Sequence, residues 1–282
     1  MASSFRISAL LLLLTFGAEF PGGAEVKLPD PATEAWTVLQ AGLEELRPNH
    51  RTEAVKALSL MSDDPRSARY ALRALRDEHK NVRAAAAGTL GQLRARGAVP
   101  ALRQALSDTE ISVVLAAAQA LWLLKDKSAY GVYYSILMGD KKSGEGLLQG
   151  QLDRLKDPKQ MAELGVQEGL GFLPFGGMGY EAIRQLHGHD ESPVRAAAAR
   201  FLALDPDSIS EDALVQSALA DKSELVRLAS LDALAQRGDP KCIERLEKNL
   251  WEDKSAVRYR TAAVILHLTK IGARKSRGQP SR

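Results

Sequence analysis

Residues 77–86 read Asp-Glu-His-Lys-Asn-Val-Arg-Ala-Ala-Ala, and this pattern of an acid, a Val-Arg pair and small apolar residues recurs along the chain. Further copies start at Asp190, Asp221 and Asp253, and a fifth, from Asp108, has Val114 where the others have arginine. Val82 and Val113 are 31 residues apart, and Val194, Val226 and Val257 follow one another at intervals of 32 and 31. Such a period indicates a chain built from one short repeated unit.

Each repeat is predicted to be a pair of helices joined by a polar turn that holds the acid. From the signature valine onward, apolar residues recur at helical spacing, as in Val82, Ala86 and Leu90. A second amphipathic helix precedes the acid, as in Val99, Leu102 and Leu106 or in Ile243, Leu246 and Leu250. Pro100, Pro193 and Pro240 stand where helices are expected to begin. We call the first helix of a unit helix A and the second helix B.

The composition agrees with an all-helical chain. Of 282 residues, 42 are alanine and 42 are leucine, and only 5% are aromatic. Alanine and leucine favour helices, whereas strands need β-branched and aromatic residues, so a β-sandwich or barrel is excluded. The net charge of +3 is too small for a nucleic-acid-binding protein, and none is predicted as a partner.

The signature resembles the HEAT repeat, in the short form of about 30 residues described as phycobilisome-lyase-type HEAT-like repeats. The resemblance covers Ala41 to Leu124 and Gly179 to Thr269. It implies an all-α fold, a right-handed α-solenoid of about seven antiparallel helix pairs with an irregular Gly-rich insert in the middle. It also implies that B helices line the concave side and that Asp/Arg pairs form a ladder between successive turns.

The resemblance implies four ladder pairs: Asp77 with Arg83, Asp190 with Arg195, Asp221 with Arg227, and Asp253 with Arg258. Val114 interrupts the ladder once. Because these residues recur once per structural unit, their predicted role is architectural and not catalytic.

The first residues are predicted to be a secretory signal peptide. Arg6 precedes an uncharged run over residues 7–18, and Gly22 and Ala24 are small residues spaced for cleavage. The alternative is an N-terminal amphipathic or buried helix. The signal peptide would direct the chain to export, as a periplasmic or secreted protein, and its cleavage would leave a mature chain that begins near Glu25. The lone Cys242 then has no disulfide partner within the chain and is predicted to fill a small apolar space, with a reactive thiol as the alternative.

The signature is lost between Asp126 and Gly179, where a degenerate repeat is predicted. Its last part, Gly165 to Gly179, is rich in glycine and carries Phe172, Phe175 and Met178. Two interpretations stay open: a buried apolar loop between the halves of the solenoid, or an exposed loop that meets a partner or a lipid surface. A phosphate-binding loop is excluded because no Lys-Ser/Thr follows the glycines.

Other chemistry is sparse in the sequence. His187 and His189 superficially resemble metal ligands, but they lie at a predicted helix end and turn. The sequence has no His-Glu dipeptide and no nucleophile-elbow or zinc-helix motif, so no catalytic, cofactor-binding or metal site is predicted. The three tryptophans, Trp36, Trp122 and Trp251, are predicted to pack between helices, with an exposed position on an end-capping helix as the alternative for Trp36.

The predicted organisation is a signal peptide (1–24), N-terminal repeats (25–127), a degenerate and Gly-rich segment (128–179), C-terminal repeats (180–269) and a basic disordered tail (270–282). The predicted function is that of an exported, non-enzymatic scaffold. It would bind a protein partner through its concave helix surface and, as a second surface, through Phe172, Phe175 and Met178. The alternative is a bilin or tetrapyrrole lyase or chaperone. Peripheral membrane contact and the oligomeric state are left open.

Overall fold

The computed structural model describes residues 30–130, 132 and 192–277. The chain divides into two units, Met1–Asp30 and Pro31–Arg282, and all described residues except Asp30 belong to the second unit. Its described regular structure is helical, as predicted. The predicted signal peptide, the Gly-rich segment with Phe172, Phe175 and Met178, and the residues His187, His189 and Asp190 lie outside the described residues.

The described helices alternate between A and B positions. In the N-terminal block they are α1 (Pro31–Leu43), α2 (Pro48–Ala57), α3 (Pro65–Ala74), α4 (Lys80–Gln92), α5 (Val99–Ala105) and α6 (Ile111–Leu123). In the C-terminal block they are α7 (Ser192–Leu202), α8 (Ser208–Ala220), α9 (Glu224–Arg237), α10 (Ile243–Leu246) and α11 (Ser255–Ser276). Short 3-10 helices cover Leu58–Leu60, Arg96–Ala98, Pro240–Cys242 and Glu247–Trp251. The B helices are α2, α4, α6, α7, α9 and α11.

Local chemistry explains where the helices begin and end. Asp64 caps α3 by accepting the Arg66 N–H at 2.9 Å, and Pro65 follows it in the first turn. Asp207 caps α8 in the same way through the Ile209 N–H. Helix α9, the B helix that follows α8, ends at Gly238. The φ of this glycine is +67°, a left-handed conformation that glycine adopts without strain. Pro100 and Pro193 open α5 and α7, as predicted.

The B helices stack in an order that differs from their order in the sequence. Within the N-terminal block, α2 packs on α4 and α4 packs on α6; within the C-terminal block, α7 packs on α9 and α9 packs on α11. The last described helix, α11, also packs against α1 and α2, the first described helices. The series is therefore α7, α9, α11, α2, α4, α6. We call the contact of α11 with α1 and α2 the seam.

Small residues allow the helices to approach one another closely. The core consists mainly of alanine and leucine side chains, and the largest fully buried ones include Leu39, Leu90, Leu121 and Leu231. A Cβ on Gly91 of α4 would lie 2.8 Å from the Cα of Ala120 in α6, so only glycine permits this spacing. The excess of alanine therefore follows from the short distance between stacked helices.

Two expectations about helices require correction. Residues Ile243 to Leu250 do not form one continuous α-helix, because only α10 is α-helical and a 3-10 helix lies on each side of it. In the 3-10 helix that follows α10, the buried Asn249 donates to the carbonyl of Ala218 at 3.0 Å. The predicted disordered tail from Lys270 is wrong as far as Ser276, since α11 continues to that residue. Arg274 forms an ion pair with Asp63 at 2.7 Å, and Lys275 donates to the carbonyl of Gly238 at 3.2 Å, which holds the extension in place.

The tryptophans differ in their surroundings. Trp36 packs between helices as predicted: its ring meets Tyr70 edge-on at 5.8 Å, and the Arg66 guanidinium lies 3.8 Å above it. Trp122 and Trp251 are about half exposed, which corrects the prediction that they pack between helices.

Candidate functional site

The turns between A and B helices form one edge of the stack, and arginines there join successive repeats. Arg51 at the start of α2 donates from Nε and Nη2 to the two carboxylate oxygens of Asp77 in the next turn, at 2.8 and 2.9 Å. Its Nη1 donates to the carbonyl oxygens of Glu45 and Leu46 in its own turn, at 2.9 and 2.8 Å. One guanidinium thus closes its own turn and clamps the next one through a bidentate ion pair.

Arg83 repeats this arrangement one unit further. Nε and Nη2 donate to Asp108 at 2.8 and 2.9 Å, and Nη1 donates to the carbonyls of Asp77 and Glu78, both at 3.0 Å. Asp108 also accepts the backbone N–H of Glu110 at 2.9 Å. Each acid is therefore held from two sides, by its own turn and by the preceding repeat.

The C-terminal block carries two comparable pairs. Arg195 pairs with Asp221, and Arg227 donates to Glu252 at 2.6 Å and to the carbonyl of Ala218 at 3.0 Å. Arg227 is only 6% exposed, so its charge is almost entirely satisfied by protein groups.

The predicted partners of the ladder require correction. The carboxylate of Asp77 pairs with Arg51 and not with Arg83, and that of Asp221 pairs with Arg195 and not with Arg227, because each long side chain reaches forward to the acid of the next turn. Asp253 is replaced by Glu252, which stands six residues before Arg258 just as Asp77 stands six before Arg83. The predicted pair of Asp190 with Arg195 cannot be placed because Asp190 lies outside the described residues.

The ion pairs shift the acidity of these groups. Burial opposes the ionisation of Asp77, Asp108 and Glu252, but hydrogen bonds from Arg51, Arg83 and Arg227 and from backbone N–H groups outweigh it, so their pKa values lie below the usual ones. Hydrogen bonds to Asp77 and Asp108 raise the pKa of Arg51 and Arg83. These acids and arginines therefore stay charged, and their ion pairs stay formed, over the ordinary pH range.

Two of these residues, Glu45 and Arg51, were missed by the sequence prediction. Their spacing of six residues matches that of Asp77 and Arg83, which is the signal that could have found them. The match is hidden because His50 stands in the position of the signature valine. Val114, where the arginine is lost, is fully buried in an apolar cluster with Ile111, Ala118 and Val132.

A groove runs along the same edge of the N-terminal block, with a volume of about 1420 Å³. Its lining includes apolar side chains from A and B helices, among them Leu43, Val55, Leu75 and Val82. Charged residues of both signs also line it: Glu44, Glu45, Arg51, Arg73, Arg76, Asp77, Glu78 and Asp108. Leu46, another lining residue, is 89% exposed and is therefore accessible to a segment that binds in the groove.

The described residues include few candidates for a metal-binding or catalytic group. No group of three or more His, Cys, Asp or Glu among them could hold a metal ion. Cys242 is buried, its thiol faces the carbonyl of Asp239 at 3.3 Å, and burial raises its pKa to about 12, which suits the predicted packing role. In the same part of the chain, no helix combines the length and apolar character needed to cross a membrane.

These features define an α-solenoid of helix-turn-helix repeats. The sequence family of HEAT repeats matches residues 37–122 and 181–266, which is more than half of the chain. The protein therefore belongs to the HEAT-repeat family. No curated protein matches the sequence significantly.

Several solved structures resemble the chain at low identity. The complex of CpcE and CpcF of phycocyanin lyase from Nostoc sp. contains a chain that is 22% identical, with a TM-score of 0.33; the match covers 88% of this chain and 98% of that one. Human deoxyhypusine hydroxylase is 16% identical, with a TM-score of 0.35 and coverage of 85% and 97%. An engineered protein is 15% identical, with a TM-score of 0.26 and coverage of 86% and 98%.

Proposed function

We propose that this protein is an exported HEAT-repeat scaffold that binds a segment of a partner protein. The observation that carries the proposal is the groove beside α1 and α3, whose lining combines apolar and charged side chains and includes the exposed Leu46. HEAT repeats supply an extended surface built from successive units, and their ion pairs between turns hold that surface rigid.

The dimensions of the groove favour a peptide segment over a small ligand. Pockets for drug-sized molecules occupy roughly 300–1,000 Å³, and this groove is larger, at about 1420 Å³. A segment with apolar side chains would cover Leu43, Leu46 and Leu75, which line the groove and are not fully buried. Arg73 and Arg76 on α3, together with Glu44 and Glu78 in the turns, would orient its polar groups.

Site-specific photocrosslinking in cells that produce the protein tests this function. A photoreactive amino acid at position 46 is expected to give a crosslinked product of defined mass, which mass spectrometry can identify. The matched control places the same amino acid at Leu225 of α9, a leucine that is also exposed, at 45%. Equal crosslinking from both positions would contradict a specific site.

Further variants distinguish binding in the groove from binding at the other surfaces predicted from sequence. Leu46→Asp keeps an exposed residue but places a charge at the mouth of the groove, and loss of the partner is expected. Retention by Leu46→Asp, combined with loss in Glu53→Arg on the B helix α2, would move the site to the B-helix surface. Loss only on deletion of residues 165–179 would move it to the loop with Phe172, Phe175 and Met178.

Export is part of the proposal and has its own test. Cell fractionation followed by N-terminal sequencing is expected to recover an exported chain that begins near Glu25. Recovery of the full-length chain in the cytoplasm would contradict export but would leave the proposed binding in the groove unaffected. The bilin lyase or chaperone alternative stays a prediction from the family resemblance.

A further inference from the structure

The seam lacks the turn-to-turn ion pair that joins the other described neighbours. An ion pair does cross it further along, between Arg274 in the last turn of α11 and Asp63. Arg51, Arg83, Arg195 and Arg227 each reach an acid of the next turn in the stack. Arg258 of α11 would reach Glu45 by the same rule. Instead its Nη1 donates to the carbonyl of Glu252 in its own turn at 2.7 Å, and its guanidinium lies 5.0 Å from the ring centre of Tyr259.

At this joint, histidine takes the place of an apolar residue. His50 stands one residue before Arg51, in the position that Val82, Val113, Val194, Val226 and Val257 occupy in the other repeats. Its side chain is 16% exposed and meets the buried ring of Tyr259 edge-on at 6.3 Å. A titratable side chain therefore packs across the seam where the other repeats place a neutral one.

The charges around His50 come from both sides of the seam. Burial lowers its pKa first, and the cations Arg47 in its own turn and Arg258 of α11 lower it further. Glu45 acts in the opposite direction, with Oε2 3.8 Å from Nδ1. Nδ1 is buried without a hydrogen-bond partner, and Glu45 belongs to the same turn as His50, so a proton added there forms no new contact across the seam.

A second histidine lies on the same helix. His267 of α11 has a pKa lowered mainly by burial and also by Arg274 of its own helix. Asp63, in the loop after α2, and the backbone carbonyls of Leu60 and Ala235 favour its protonated form. Leu60 and Asp63 belong to the N-terminal block, whereas Ala235 belongs to α9, so this side chain also lies where the two blocks meet.

We propose that the seam is an acid-sensitive joint, at which protonation of His50 and His267 loosens α11 from α1 and α2. The folded seam favours neutral imidazoles, so its stability is fully present above pH 6.5, the ordinary pKa, and is lost as the pH falls below that value. A protonated His50 adds a third positive charge beside Arg47 and Arg258, at the end of the seam that has no ladder pair. The ion pair of Arg274 with Asp63 lies at the other end of α11. Hydrogen bonds from arginines and backbone N–H groups lower the pKa of Asp77, Asp108 and Glu252 despite burial, so these ladder acids keep their charges over the same range and the blocks are expected to stay intact.

Distance measurements across the seam test the proposal on the full chain. Spin labels are attached to cysteines introduced at Ala41 of α1 and Lys254 before α11, both exposed. The buried Cys242 thiol, with its raised pKa, does not compete for the label. Between pH 7.5 and pH 5.5, electron-electron double resonance is expected to show a new population at longer distance, while the far-ultraviolet circular dichroism stays unchanged.

Variants assign the response to the two histidines. The double variant His50→Gln/His267→Gln is expected to lose the long-distance population at pH 5.5, whereas His79→Asn, which keeps an oxygen to cap α4, is expected to retain it. Should the double variant fail to fold, Arg47→Glu replaces it: Arg47 is 70% exposed, and charge reversal relieves the repulsion on protonated His50. This variant is expected to respond less to acid, and the matched reversal Arg69→Glu on α3 is expected to leave the response unchanged. An unchanged distance in the native chain at pH 5.5, or an equal response in the variants, overturns the proposal.

Discussion

The Cα of Gly42, near the end of α1, lies so close to the ring of Tyr259 in α11 that a Cβ there would stand 2.9 Å from Cδ1 and nearer still to Cε1 and Cζ. Tyr259 is itself buried, at 3% exposure. The first and last described helices of the chain are therefore in direct contact, and a glycine permits their spacing.

Substitution of Gly42 by alanine is expected to lower the free energy of unfolding by roughly 1–3 kcal/mol, because the added methyl group must displace the Tyr259 ring. Urea denaturation followed by circular dichroism measures the change. Gly97→Ala is the control, since a Cβ at Gly97 would meet no atom within 4 Å. Equal stability of the two variants would show that α1 and α11 are further apart.

Loss of one ladder arginine is expected to destabilise the stack in a pH-dependent way. Arg83→Gln leaves the carboxylate of Asp108, whose side chain is 14% exposed, without its bidentate partner, at a cost of about 2 kcal/mol at pH 7. Arg83 holds the pKa of Asp108 below 3.8, so its contribution is present above that pH and disappears as the pH falls and Asp108 is protonated.

Urea titrations at pH 7 and at progressively lower pH test this dependence. The difference between native chain and variant should shrink below pH 3.8. In Arg103→Gln the removed guanidinium is itself 57% exposed, and Asp126 still accepts the Ser128 N–H at 3.0 Å, so this variant is expected to lose less stability than Arg83→Gln. A difference for Arg83→Gln that is independent of pH would assign the effect to packing instead of charge.

Removal of the α11 extension is expected to weaken the seam. Truncation after Thr269 deletes Arg274, which pairs with Asp63, and Ile271, which a Cβ at Gly238 would meet at 3.2 Å. The melting temperature should fall by several degrees, in keeping with a loss of about 1–2 kcal/mol. Truncation after Arg277 removes only the last five residues and should leave it unchanged; an equal effect of both truncations would contradict a role for residues 270–276.

The Cys242 thiol is expected to be almost unreactive in the folded protein. It is 1% exposed, and burial raises its pKa to about 12, so very little thiolate is present at pH 8. Labelling with a maleimide should proceed at the rate of unfolding and should become rapid in urea. A cysteine at the exposed Ser276 provides the reference rate, and comparable labelling of the two residues would contradict the buried environment.

Much of the fold was predictable because each repeat is defined by local sequence. Val82, Val226 and Val257 lie in the first turns of α4, α9 and α11, as the Val-Arg signature predicts. The partners of the arginines were not predictable, because the spacing within a repeat does not tell whether a long side chain reaches its own turn or the next. The repeat order was also hidden, since a local pattern does not specify which repeats stack on each other.

The burial of α11 distinguishes it from an end helix of a solenoid. A terminal helix of a solenoid normally presents a polar outer face. In α11, by contrast, Tyr259, Ala262, Ala263, Val264 and Ile265 are all buried, so the helix is covered on two sides. The groove beside α3 was less accessible to sequence reasoning, because its lining combines residues of three different repeats.

The stacking order also determines how the chain can be made. Ladder pairs join residues 25 or 26 apart, whereas Lys270 donates to the carbonyl of Asp63 across 207 residues. Closing the longer loop costs about 2 kcal/mol more in chain entropy, so each block is expected to form before the seam. During synthesis, α1 and α2 leave the ribosome long before α11 exists. Until that helix arrives, their apolar surface is open to chaperones or to another nascent copy of the chain.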